Sequence, residues 1–306
     1  MSRAAAHIGR ALATLWLAVT AAFLLTRVSG DPAVRIAGEL ATDDILDGIR
    51  HQLGTDRPLI VQYFDYLWHL IRFDLGKSLT YHTDNLELIG SRLPASLALA
   101  VGAMAVAIVV GVPLGVISAA RVGSLIDRVV SVISLIGQSV PLFWVGLMAI
   151  MFLAVRWGML PAGGNESLTA YILPTLTLAT IPLAQITRLT RSSMGEALSG
   201  GFISAGLARG LSRTRMIWNH ALRHTALPVL TVIALQAGML LSGSVTVEVV
   251  YSWPGMGRLI ASAVELRDFT LVQGLVVVAA LVFVVANLAV DLLYPVIDPR
   301  LRRSRS

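Results

Sequence analysis

The 306-residue chain contains no cysteine. Disulfides, thiolate metal sites and cysteine nucleophiles are therefore excluded, while the compartment stays open, since absence suits either side of a membrane. Charge is scarce as well: Asp, Glu, Lys and Arg make up 14% of the residues against 56% hydrophobic, and mean hydropathy is +0.75. So little polar surface cannot cover the two soluble domains that this length would otherwise allow. The chain reads as an all-α membrane protein. Lysine occurs once, at Lys77, so the net charge of +6 is carried by arginine. In a membrane protein a basic surplus reports orientation, and no nucleic-acid partner is expected.

Charge is absent from six long runs: residues 11–26, 95–120, 129–155, 168–187, 225–247 and 271–290. Each is long enough to span a bilayer, which predicts six transmembrane helices. At about 1.5 Å per residue the second would reach ~39 Å against a ~30 Å hydrocarbon core, so it must tilt, extend beyond the core or bend, with Pro113 as the bend. Pro141, Pro174 and Pro182 interrupt the third and fourth runs, as membrane helices tolerate. Gly111 and Gly115 form a GxxxG pair that permits close helix contact. No A-x-A-like site follows the first run, only Arg27, Val28, Ser29 and Gly30, so it reads as a span rather than a secretory signal.

Sorting the arginines by loop gives the orientation. Arg3 and Arg10, then Arg121 and Arg128, then Arg188, Arg191, Arg209, Arg213, Arg215 and Arg223, then Arg300, Arg302, Arg303 and Arg305, all fall on one side and hold more than half of the 24 basic residues. The positive-inside rule makes that side cytoplasmic, with both termini inside. The opposite side receives residues 29–94, where ten acids exceed six bases. Two amphipathic helices are expected there. One follows a Thr42 cap with Ala41, Ile45, Ile49 and Leu53 in register. The other starts with Pro58 in its first turn and carries a stripe of Ile60, Phe64, Leu67 and Ile71.

Catalytic patterns are missing. Gly76-Lys77-Ser78 resembles the end of a phosphate-binding loop, but Ile71 stands where the first glycine should be. His220 and His224 are one turn apart without a following Glu or a third ligand, so they belong to a basic helix, and no metal site is expected. Asp43, Asp44 and Asp47 suit the N-terminus of a helix. Polar groups inside the runs are more informative, because lipid disfavours them. Gln138, Ser139, Gln185, Gln236, Ser242, Ser244, Glu248 and Asn287 either line a path or bond between helices. Glu248, at an outer end beside the Pro254-Gly255 turn, is either a gate or half of a fixed pair with Arg258. Asp291 sits at the inner end of the last run.

The motifs SGDPA (29–33), LGTDRPLIVQYFDYLWHLIRFDLGKSL (53–79), SWPGMGRLI (252–260) and the ending NLAVDLLYPVIDPRLR resemble the B-type permease subunit of dipeptide, oligopeptide and nickel ABC importers. The resemblance covers nearly the whole chain. It implies the type I importer permease fold and an E-A-A-x-x-x-G signature whose short helices dock on a cytoplasmic ATPase. Here that signature reads Ser204, Ala205, Gly206, Leu207, Ala208, Arg209, Gly210, with serine in place of Glu and glycine in the third position. Gly210 and the following Arg213 and Arg215 remain as coupling candidates. Gly210 supplies a turn where a side chain would obstruct a partner.

The resemblance further implies a non-catalytic subunit of the bacterial plasma membrane. It implies pairing with a C-type permease and two ATP-binding subunits that hold ATP and magnesium, and an extracytoplasmic substrate-binding protein. The expected layout is residues 1–28 for the N-terminal end and first span, 29–94 outside, 95–296 for the remaining spans with a coupling loop at about 188–224, and a basic tail at 297–306. The path is expected at Gln138, Ser139, Gln236, Glu248, Pro254 and Gly255. Peptide, nickel or metallophore, and glutathione importers share these motifs. A secondary transporter would usually show an internal repeat and midplane acids, and neither is seen.

Overall fold

The computed structural model describes residues 3–28, 32–37 and 41–297, nearly all helical. The helices are α1 (Arg3–Val28), α2 (Pro32–Ala37), α3 (Asp43–Leu53), α4 (Leu59–Ile71), α5 (Asn85–Ala120), α6 (Leu125–Ser139), α7 (Leu142–Ala149), α8 (Ile172–Leu198), α9 (Gly201–Ala208), α10 (Arg213–Arg215), α11 (Leu222–Val250), α12 (Met256–Glu265) and α13 (Phe269–Ile297). Two π-helical stretches, Ile150–Arg156 and Met216–Ala221, extend α7 and join α10 to α11. The arginine-rich tail and Ser29 to Asp31 of the SGDPA motif lie outside the described residues, as do the side chains of Ser242 and Asp291.

Among the described residues three helices are long and apolar enough to cross a membrane: α5, the stretch Leu168–Leu198 that contains α8, and α13 within Phe269–Leu288. The count rises to five if each bent pair is one span. One such pair turns by 107° between α6 and α7, where Val140 is extended before Pro141. Proline disfavours the α conformation in the residue before it, and this is the physical cause. α5 runs as one unbroken helix from Asn85, ten residues before the apolar run begins, through both Pro94 and Pro113.

The chain packs as two units, Met1–Pro94 with Arg258–Val284, and Ala95–Gly257 with Val285–Ser306. In the first, α3 ends at Gly54 with φ +66°, where Thr55 N donates to Arg50 O at 2.9 Å. Thr42 occupies the cap position, but its side chain makes no capping bond. Pro58 likewise precedes α4 rather than entering its first turn. The surface of α4 that meets α1 is aromatic: Tyr63 Oη and Thr20 Oγ1 share a 2.7 Å hydrogen bond, and Phe23 packs on Tyr63 and Tyr66 at 5.3 and 5.7 Å. Tyrosine brings both apolar area and a hydroxyl to a helix that carries Thr20. Ile60, Phe64 and Ile71 of the apolar stripe are exposed in the isolated chain.

Ser78 of the GKS triplet is buried and donates to Asp268 Oδ2 at 2.5 Å. Asp268 also accepts from Thr80 N, Thr270 Oγ1 and Leu271 N, the last of these capping the start of α13. Burial alone would raise the Asp268 carboxyl, but these hydrogen bonds together hold it below the usual carboxylate range. The triplet is thus a structural tie.

In the second unit α8 is the central helix. Gly111 and Gly115 of α5 face it: a Cβ on Gly115 would lie 2.6 Å from Thr190 Cβ and 2.7 Å from the Thr187 carbonyl oxygen. The GxxxG pair therefore makes the α5–α8 contact. Two apolar clusters flank it. One holds Leu99, Leu173, Leu178, Leu240, Tyr251 and Trp253. The other joins Val116 and Ala119 of α5 and Met194 of α8 to Ile203, Met216 and Ala221.

Candidate functional site

The sequence-derived site residues fall into three separate places. The first is built on α9. Only Ile203 and Gly206 of this helix are buried, while Phe202, Ser204, Ala205, Leu207 and Ala208 are exposed. The helix closes with Leu211 N donating to Gly206 O at 3.2 Å and Gly210 N donating to Leu207 O at 3.0 Å. That bond pair is a Schellman cap, which requires a left-handed residue, and Gly210 has φ +84°. The glycine of the signature is thus a helix stop. Gly206 has a different reason: a Cβ there would meet Met216 Cε and Sδ at 2.6 Å, so the departure from alanine accommodates the buried methionine.

Ser212 then caps α10 by accepting from Arg215 N at 3.4 Å. Arg209, Arg213 and Arg215 all point outward as exposed residues. Beside them a groove of about 360 Å³ runs between the end of α5 (Val116, Ile117, Ala120) with the adjoining Arg121, and Arg213, Thr214, Ile217 and Trp218. The short helix is thus held by a buried anchor and presents apolar and basic groups outward. His224 lies against Phe202, the ring planes tilted by 41° and the centroids 4.6 Å apart.

The second place is the turn after α11. Glu248 is fully buried, and Ser96 Oγ donates to its Oε1 at 2.6 Å. Met256 N donates in turn to Ser96 Oγ at 2.8 Å. A Cβ on Gly255 would fall 2.3 Å from Glu248 Oε2, so this glycine lets the turn close over the carboxylate. Pro254 is half-buried next to it. Trp253, also fully buried, donates from Nε1 to Ala95 O at 3.1 Å and meets Tyr171 edge-on at 4.5 Å. Tyr251 Oη shares a 2.8 Å hydrogen bond with Thr177. The turn therefore fastens one end of α11 to Ala95 and Ser96 of α5 and to the start of α8.

The third place is a polar cleft of about 430 Å³ between α6, α8 and α11, lined by Gln138, Gln185, Arg188, Leu189, Ser192 and Val232. Arg188 Nη1 donates to Gln138 Oε1, and buried Gln236 donates from Nε2 to Gln185 Oε1. Ser139 stays apart, with its hydroxyl turned back to Leu135 O. Arg191 pairs with Asp127, Nε to Oδ1 at 2.5 Å and Nη2 to Oδ2 at 2.9 Å.

With that geometry in view, the family signature of the binding-protein-dependent transport system inner membrane component matches residues 111–303, and its N-terminal companion matches residues 4–100. The chain belongs to this permease family. It is 39% identical over 314 residues, 91% of each chain, to the dipeptide transport system permease protein DppB of Escherichia coli (strain K12). It is 36% identical over the full length of both chains to the di/tripeptide transport system permease protein DppB of Pseudomonas aeruginosa (strain UCBPP-PA14). It is 37% identical to the glutathione transport system permease protein GsiC of Escherichia coli O6:H1, over 94% of this chain and 95% of that one. Its fold matches a chain of the inward-facing methionine ABC transporter MetNI with a TM-score of 0.55 at 21% identity, covering 70% of this chain and 97% of the other. The permease is the membrane subunit of an ABC importer and carries no catalytic machinery of its own.

Two features of the permease escaped the sequence reading. Arg188 and Arg191 fall past the apolar run, which stops at 187, yet they lie on the same helix, because α8 continues to Leu198. Gln185, Arg188 and Ser192, spaced as one helix face, were the available signal. The Ser96–Glu248 bond links residues 152 apart and left no local signal.

Proposed function

We propose that this permease forms, with a C-type partner, the path by which di- and oligopeptides enter across the plasma membrane. Two ATPase subunits holding ATP and magnesium drive it, and an extracytoplasmic binding protein supplies the peptide. Six spans with both termini inside suit the arginine distribution, and residues 29–94 would then meet the binding protein. The coupling residues would be Ser204, Ala205, Gly206, Arg209, Gly210, Arg213 and Arg215. The observation carrying this reading is the α9 element, capped at Gly210, anchored by Ile203 and Gly206, and exposed elsewhere. Alternating access then follows: ATP binding closes the ATPases, the docked elements move, and the paired bundles reorient.

Peptide is the favoured cargo because dipeptide and di/tripeptide permeases are among the relatives that match over most of both chains. Glutathione stands as the second reading on the strength of the GsiC match. Vesicles holding the permease, its partner permease and both ATPases, supplied with binding protein, should take up labelled dipeptide in a vanadate-sensitive manner. Excess unlabelled peptide should compete better than glutathione. Uptake that persists without the ATPases, or follows glutathione alone, would overturn the proposal.

A further inference from the structure

An arginine within a membrane helix needs an anion or water, because lipid disfavours its charge. The permease places two, three residues apart on α8, and treats them differently. Arg191 is neutralised by Asp127, which also accepts from Ser118 Oγ at 2.6 Å and Gly123 N at 2.9 Å. Arg188 meets no carboxylate among the described residues: its bond goes to the amide oxygen of Gln138. A neutral acceptor orients a guanidinium without cancelling its charge, and four of the five guanidinium N–H donors remain to be used.

Arg188 is also exposed to the cleft of about 430 Å³, beside Gln185 and Ser192. It lies about 24 Å along α8 from Ile172, directly after the apolar run that ends at residue 187. The geometry points to Arg188, oriented by Gln138 and accompanied by Gln185, as a station that recognises the carboxylate of the peptide during its passage. This rests on the peptide reading above. A planar guanidinium fork matches a carboxylate bidentately, and the remaining amide groups offer both donors and acceptors for peptide bonds. The contact must also be released, which suits a single charge in an open cleft better than a closed pocket.

The lack of native cysteine supplies the test. Complexes with Arg188→Cys, whose partner subunits are also cysteine-free, are reconstituted with loaded binding protein, and dipeptide taken up per ATP hydrolysed is measured. Uptake per ATP should fall about tenfold while ATP hydrolysis and assembly stay at parental levels. Treatment with an aminoethyl thiosulfonate, which restores a positive charge, should recover it, whereas a neutral methyl thiosulfonate should not. Unchanged uptake per ATP overturns the inference, as expected if Arg188 only reaches a lipid phosphate. Loss of the assembled complex also overturns it, since Arg188 would then pair with the partner permease. Equal response to both reagents does so too. Failure of the parental complex to move any dipeptide would instead strike the peptide reading itself.

Discussion

Replacing Gly210 by Trp tests whether α9 couples the permease to its ATPase. Two effects must be separated. Gly210 sits at φ +84°, a conformation that costs an L-residue about 1–2 kcal/mol. Any side chain incurs that strain, so Gly210→Ala measures it alone, and about 1–2 kcal/mol corresponds to a roughly 5- to 30-fold weakening of the local turn. Among the described residues nothing lies within 4 Å of a Cβ at this position, so the indole meets open space there. Any loss beyond the alanine variant therefore belongs to a partner. A docked surface that must shift for an indole loses well over ~1.4 kcal/mol, hence at least about tenfold in association. The assay is co-purification of the ATPase subunits, together with ATP hydrolysis stimulated by loaded binding protein in vesicles. Gly210→Ala should retain most coupling, and Gly210→Trp should lose it with the membrane bundle intact. If the tryptophan variant assembles and transports as the alanine variant does, α9 is not the coupling element.

Gly115→Leu should force α5 from α8, because even its Cβ would lie 2.6 Å from Thr190 Cβ. The cost of about 1–3 kcal/mol should appear as a lower melting temperature in detergent, while Gly195→Ala, with nothing within 4 Å, should not lower it. Glu248→Gln preserves shape and an acceptor for Ser96 Oγ but removes the carboxylate under the Gly255 turn; uptake should drop several-fold with assembly retained, and parental transport would remove Glu248 from the gate. Single cysteines replacing Asp44, Asn165 or Arg267 should react with an impermeant reagent in intact cells, whereas one replacing Arg209 should not. Labelling at 209 would reverse the proposed orientation.

Much of this permease was legible in its sequence because the bilayer is a demanding solvent. Charge-free runs must be helices there, since no other open structure satisfies its own backbone. Gly210 too could be recognised locally, as a helix stop depends only on the few residues around it. Long-range packing left no such trace. Ser96 and Glu248, Ser78 and Asp268, and Asp127 and Arg191 are distant in the chain, and only the folded helices bring them within hydrogen-bond reach. The exposed stripe of α4 shows the same limit, because periodicity identifies an apolar face without saying what covers it. Arg188 is the clearest instance. Hydropathy ends the span before it, and only the continuation of α8 beside α6 sets its guanidinium on the Gln138 amide at the cleft.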